Sequence, residues 1–414
     1  MNETTRLLES MADRAEPDRL APAVDVRRAG QRRTRRTRGL AVAALVAVVA
    51  GTVGIQAIGH GRPSETPQPA YGPFTPQPVP DPADGLLTYS GFDVVHELNY
   101  FGQPTDLAAA APRSLCRDCG IDDLGWSPDG RRLALLTIAA DGTGHGHTSN
   151  RIVVVDPANG SQDLNLDCRL PGVVGAGTCG SIEGPPLAWS PDSTRLAFAT
   201  AGRLFTVAAS GGADPVPLCD ACLGQAPAWS PDGRWIAYAD PTGVSLVPSS
   251  GGAPEHVADI PSAATVTWSP NGTRLLVDTA DAVDLVDLTN APPAVTRVTQ
   301  LKAQEGPAAP VWSPDGTRIA FFETPTENGQ RFVAQLWTAY ADGSGSRVLH
   351  DFGCCTNDWS PPRWSPDGTT IAMGLALARD GTPGVVVVDA DSGVVERRLP
   401  GSGPVDWRRV APTD

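Results

Sequence analysis

Along residues 81–414 short runs of alternating apolar and polar residues are separated by tight polar turns, the period-2 pattern of half-buried strands. The pattern recurs as LGWSPDGRRLALLT (124–137), LAWSPDSTRLAFAT (187–200), PAWSPDGRWIAYAD (227–240), VTWSPNGTRLLVDT (266–279), PVWSPDGTRIAFFE (310–323) and PRWSPDGTTIAMGL (362–375). Ser, Pro, Asp or Asn, then Gly suit successive positions of a type I turn: Pro presets φ, Asx suits the third place and Gly takes the fourth. Two copies depart, with Ser193 for the turn glycine and Asn271 for the aspartate. A third strand follows in every copy: RIVVVDPANG (151–160), RLFTVAASGG (203–212), VSLVPSSGG (244–252), AVDLVDLTNA (282–291), AQLWTAYADG (334–343) and GVVVVDADSG (384–393). After another short turn comes a weaker fourth strand, such as SRVLHDF (346–352).

Four strands per repeat of about 40 residues is the signature of a β-propeller blade. The recurring W-S-P-D-G followed by an I-A-F-like strand resembles the TolB-type, WD40-like propeller repeat family, and the resemblance covers roughly residues 81–414. It implies an all-β propeller and protein–protein contacts at the cell envelope. PVDW (404–407) matches the first strand of a blade, yet the chain stops within seven residues of Trp407. The missing strands lie at the other end: DPADGLLTYSG (81–91) aligns with SPDGRRLALLT, FDVVHELN (92–99) supplies a third strand and TDLAAAA (105–111) a fourth. The expectation is seven four-stranded blades, the last closed by both termini, with six blades as the alternative. Such closure leaves no open edge between first and last blades. Trp126, Trp189, Trp229, Trp268, Trp312, Trp364 and Trp407 recur at one structural position and are expected to pack rather than bind.

Charge separates the rest of the chain into three parts. Residues 1–38 hold ten Arg against six acidic residues, and the remainder holds 22 basic against 40 acidic residues. An acidic main domain excludes nucleic acid as the expected partner. LAVAALVAVVAGTVGIQAIG (40–59) has no charge and follows an arginine-dense stretch, so residues 39–59 are expected to form a transmembrane signal anchor with residues 1–38 as a basic cytoplasmic tail. A cleaved signal peptide is the alternative. Residues 60–80 form a Pro-rich spacer, and the stretch 61–85 carries eight prolines. The propeller, 81–414, is then extracytoplasmic, at a cell membrane crossed once.

Trp189 to Trp229 spans 40 residues, whereas Trp126 to Trp189 spans 63 and Trp312 to Trp364 spans 52. The additions fall between second and third strands (139–150, 323–332) and between the fourth strand and the next blade (167–186, 351–362), connections that emerge on one face. Insertions in repeat proteins gather on the binding face. His145, His147, Glu327, Asn328, Arg331, Asn357, Asp358 and Trp359 are its candidate ligand- or partner-binding residues. The eight cysteines lie on this face too, and an even count in an exported chain favours disulfides, paired Cys116–Cys119, Cys168–Cys179, Cys219–Cys222 and Cys354–Cys355. Zinc held by the CRDC and CDAC pairs is the alternative, weakened by the roughly 100 residues between them.

No G-x-S-x-G elbow and no H-E-x-x-H occurs, and neither metal nor cofactor is expected. The expected function is a membrane-tethered binding or scaffold module, not an enzyme, whose partner is an envelope protein or extracellular ligand. The alternatives are a propeller hydrolase or lyase acting on envelope polymer or peptide, and the sensor of a one-pass signalling protein.

Overall fold

The computed structural model describes residues 84–90, 95–98, 104–106, 119–140, 147–168, 170, 187–219, 222, 224–279, 281–300, 309–323, 326–327, 330–331, 333–354, 359–375, 384–401 and 403–410. All belong to one compact unit. The basic tail, the apolar segment 39–59 and the spacer lie outside the described residues, and no described helix is long and apolar enough to cross a membrane.

Each recurring turn is a small closed network that the sequence dictates. In the third copy the Ser230 hydroxyl donates to Asp232 Oδ1 at 2.6 Å and accepts from Trp235 N–H at 2.9 Å. Asp232 Oδ1 also accepts from Arg234 N–H, and Gly233 N–H donates to Ser230 O at 2.8 Å. Asn271 does the same work through its amide oxygen, accepting from Ser269 Oγ at 2.8 Å and Thr273 N–H at 3.2 Å. Ser193 adopts the left-handed backbone of the glycine it replaces, at φ 60°. The two departures keep the turn because the motif needs one acceptor and one positive-φ residue rather than particular side chains. Ser230→Ala is expected to cost about 1–3 kcal/mol, because Trp235 N–H loses its acceptor and Asp232 its hydroxyl donor together. Urea unfolding of the variant measures it.

Six four-stranded antiparallel sheets are each built from one continuous span of chain, 119–167, 187–217, 225–259, 263–300, 311–354 and 363–399. We number these blades one to six. A further four-stranded sheet is composite: Asp84–Ser90, Val95–Leu98 and Pro104–Asp106 are its outer strands, and Val405–Val410, the closing strand, is its first. Six residue pairs from Asp84↔Val410 to Tyr89↔Val405 set that register. The first strands touch one another in sequence around a ring, and the closing strand touches the first strands of blades six and one. First strands therefore surround the centre, and fourth strands lie at the rim.

The tryptophans join neighbours. Trp189, Trp268, Trp312 and Trp407 each donate the indole N–H to a first-strand carbonyl of the preceding blade, at Gly125, Ala228, Thr267 and Arg363. Trp126, following the composite blade, donates to the Thr88 hydroxyl at 2.8 Å instead. Trp229 and Trp364 make no such bond among the described residues; Arg195 and Arg318 stack on their rings at 4.7 and 4.8 Å. The tryptophans are packing residues, as the recurrence implied.

The two faces differ. Connections from first to second strand and from third to fourth are short throughout, none exceeding the seven residues 209–215. The long ones, 107–118, 168–186, 301–310, 324–332, 355–362 and 376–383, all run from second to third strand or from fourth strand to next blade. In an antiparallel blade these emerge on the same side. Part of the first insertion is strand rather than loop: Ala139 pairs with Thr148 and Ala140 with His147, extending the hairpin of blade one. In blade five the connection carries its own small hairpin, Thr326–Glu327 against Gln330–Arg331.

Candidate functional site at the ring centre

The residue just before each recurring tryptophan lies on a first strand, and in two copies its side chain bonds to the next blade. Thr267 Oγ1 meets Pro310 O at 3.5 Å, and Asp406 Oδ2 accepts from Trp126 N–H at 2.8 Å. In five blades this position is uncharged: Gly125, Ala188, Ala228, Thr267 and Val311. In the sixth and the composite blade it is Arg363 and Asp406. Two residues earlier in the sequence stand Pro186, Ala226, Thr265, Ala309, Pro361 and Pro404, but Asp123 in blade one. The charges at these positions therefore collect on three consecutive first strands, with the closing strand in the middle.

Their electrostatics follow from enclosure. Burial pushes the Asp123 carboxyl up to about 7, against the opposing pull of Arg363 and the Leu124 N–H, and the carboxylates of Asp406 and Asp122 add to the rise. Asp123 is only 9% exposed. Burial raises Asp406 too, with Arg363 and the Trp126 N–H opposing, although this residue keeps partial solvent access. The cluster holds two carboxyls that resist ionising beside one guanidinium, an arrangement able to take up or release a proton near neutral pH. Aligning the repeats on the tryptophan shows Arg363 and Asp406 as the charged exceptions. Asp123 is harder to see, because a bulge between Ile121 and Asp123 breaks the strand's alternation.

A surface cavity of about 300 Å³ in blade three is lined by Tyr238, Asp240, Thr242, Ser245 and His256. Its polar groups serve the turn. Asp240 Oδ1 accepts from Thr242 N–H, the Thr242 hydroxyl and Gly243 N–H, and Oδ2 accepts from the Ser245 hydroxyl. His256 Nε2 lies 2.9 Å from Asp259 Oδ1. With its acceptors spent, this cavity is the weaker candidate.

Of the binding residues expected from sequence, only Trp359 has a described side chain. Its ring packs against Phe322, centroids 4.6 Å apart, and its backbone bridges Leu375, so it belongs to the core between blades five and six. His147, Glu327 and Arg331 are placed on strands, whereas His145, Asn328, Asn357 and Asp358 lie outside the described residues. Among the cysteines, Cys219 and Cys222 form a disulfide with Cα atoms 5.4 Å apart. Cys168 is also disulfide-bonded, and its expected partner Cys179 lies outside the described residues. Cys119 and Cys354 are placed on strands, while Cys116 and Cys355 fall outside. No group of three or more metal-ligating side chains occurs among the described residues.

No family model matches the chain, and no curated protein does. Solved structures do. An oligogalacturonate lyase in complex with manganese aligns with TM-score 0.51 and 15% identity over 72% of this chain and 84% of its own. The Swd1 β-propeller domain of Myceliophteria thermophila aligns with TM-score 0.50 and 13% identity over 71% and 91%. The chain is a β-propeller. A putative TolB from Agrobacterium tumefaciens is 22% identical over 61% of this chain and 94% of its own, with TM-score 0.43. At such identities the likeness concerns the propeller fold alone. The lyase and the Swd1 propeller domain align equally well, so the fold alone does not separate their functions.

Proposed function

We propose that this propeller is a protein-binding module held outside the cytoplasmic membrane by residues 39–59, and that it binds through the face bearing the long connections. The observation that carries this reading is the asymmetry of the blades, with six long connections on one side and only short turns on the other. A rigid ring presenting extended hairpins on one side suits recognition of a macromolecule, because the scaffold fixes the loops while leaving their backbones free to pair. The uncharged run 40–59 after an arginine-rich tail supports the anchor, and the Cys219–Cys222 disulfide fits an oxidising compartment.

The test is crosslinking on intact cells with a membrane-impermeant amine reagent. It compares the full-length chain with versions whose 139–150 and 323–332 connections are cut to two-residue turns. The intact chain is expected to yield defined adducts that the shortened versions lose. Adducts that persist unchanged would refute the one-face reading. Reaction with a permeant reagent only would refute the extracytoplasmic location.

A further inference from the structure

We propose that the seam between the composite blade and blade one is a proton-operated latch, in which Asp123 and Asp406 couple closure of the ring to pH. At this seam the first strand of blade one packs against the closing strand, whose own pairing within its blade depends on Asp84–Ser90. The closing strand is joined to the outer strands of its blade by hydrogen bonds, about 320 residues away in sequence. Its contacts across the seam are carried by Asp406 and Arg408. Asp406 Oδ2 accepts from Trp126 N–H at 2.8 Å, Arg408 Nε donates to Gly130 O at 2.9 Å, and the Arg408 guanidinium stacks on Trp126 at 4.8 Å. One of these contacts is made by a carboxyl belonging to the central cluster.

Charged groups act on the pair from three first strands. Asp122 and Asp123 share the first strand of blade one; Asp406, Arg408 and Arg409 lie on the closing strand; Arg363 comes from blade six. Strands Leu133–Ala140 and Leu187–Trp189, the others packed on the first strand of blade one, carry no charge. With Asp123 and Asp406 ionised, the field of Arg363 is set against two carboxylates, and Asp122 adds a third. Protonating Asp123 removes the repulsion across the seam while leaving Asp406 free to accept from Trp126.

The direction of the effect follows by linkage. Burial makes both carboxyls hold protons more tightly in the ring than in the unfolded chain, so the folded state binds more protons. Stability then falls as pH rises from the ordinary carboxylate range to about 7, and it is regained on acidification. A mildly acidic medium tightens the seam and an alkaline one loosens it.

Hydrogen exchange of the full-length chain tests the latch locally. Amides of 405–410 are compared with those of the remote first strand Ala263–Trp268 at about pH 5.5 and about pH 8.5, each corrected for intrinsic exchange. The closing strand is expected to lose about tenfold protection relative to the remote strand at the higher pH, and Asp123→Asn to shrink that change to within about twofold. Asp122→Asn, at an exposed position, should leave most of the response. Equal pH response in both strands, or a full response retained in Asp123→Asn, overturns the latch. If Asp123→Asn does not fold, the Trp126 amide resonance of the unaltered chain decides. Titration with a midpoint near neutral supports the latch, and no titration over that range overturns it.

Discussion

Removing residues 404–414 is expected to abolish cooperative unfolding of the whole propeller rather than trim a tail. The deletion takes away a complete first strand, exposing the inner edge of Asp84–Ser90 along six paired positions. Val405 and Trp407 leave a cluster in which Leu87, Tyr89, Ala372, Val385 and Val387 are buried, joining the composite blade to blade six. Trp407 no longer donates to Arg363 O, and Trp126 loses both its acceptor at Asp406 and the stacked Arg408. Large-to-small changes at single buried aromatic sites cost about 3–5 kcal/mol, and a domain's total stability is about 5–15 kcal/mol. Losing two seams and a strand together exceeds that margin. Thermal melting followed by tryptophan fluorescence, which the ring tryptophans report, should show no sharp transition. A melting temperature within a few degrees of the intact chain would show that the six continuous blades hold without the closing strand.

The second large effect is expected at Gly393, in the turn between the third and fourth strands of blade six. Its φ is +72°, and a Cβ there would stand 1.9 Å from Leu349 O on the rim strand of blade five. That turn is docked: His350 Nδ1 donates to Gly393 O at 2.8 Å and Arg347 reaches Asp391 O at 2.7 Å. Gly211 stands in the same relation to Asp163 O, at 2.2 Å, between blades two and one. Gly393→Ala therefore adds a clash with fixed backbone to the strain of a left-handed alanine, at an expected cost of about 3–5 kcal/mol. Gly202→Ala is the control. It shares the backbone strain, φ +71°, but nothing lies within 4 Å of its added methyl, so its cost should stay near 1 kcal/mol. Guanidinium unfolding of both variants reads the difference. Equal costs would mean that blade five moves aside and that the rim turns do not fix blade spacing.

Blade architecture was legible because each repeat solves its own local problem. Ser-Pro-Asp-Gly closes a turn with groups no more than five residues apart, and alternation fixes which face of each strand is buried. The composite blade was legible for the same reason, since DPADGLLTYSG and PVDW are fragments of the same repeat. Partial legibility began where elements extend: residues 139–150 read as a loop, while pairing of Ala140 with His147 carries the strands onward. Trp359 read as part of an exposed patch but packs on Phe322, because an aromatic in an insertion is drawn to whatever apolar surface the neighbouring blade leaves open.

By itself the sequence determined the repeat, its turns, the sites of insertion and the strand that completes the ring, all set by local backbone preference and period-2 burial. Tertiary structure alone decided that Asp123, Arg363 and Asp406 come within one another's electrostatic reach. They sit some 240 and 40 residues apart in the chain, on strands that come together only when the ring closes. Local propensity carries no information about such long-range coupling; the ionisation of a carboxyl depends on which charges and how much protein surround it, and closure supplies both.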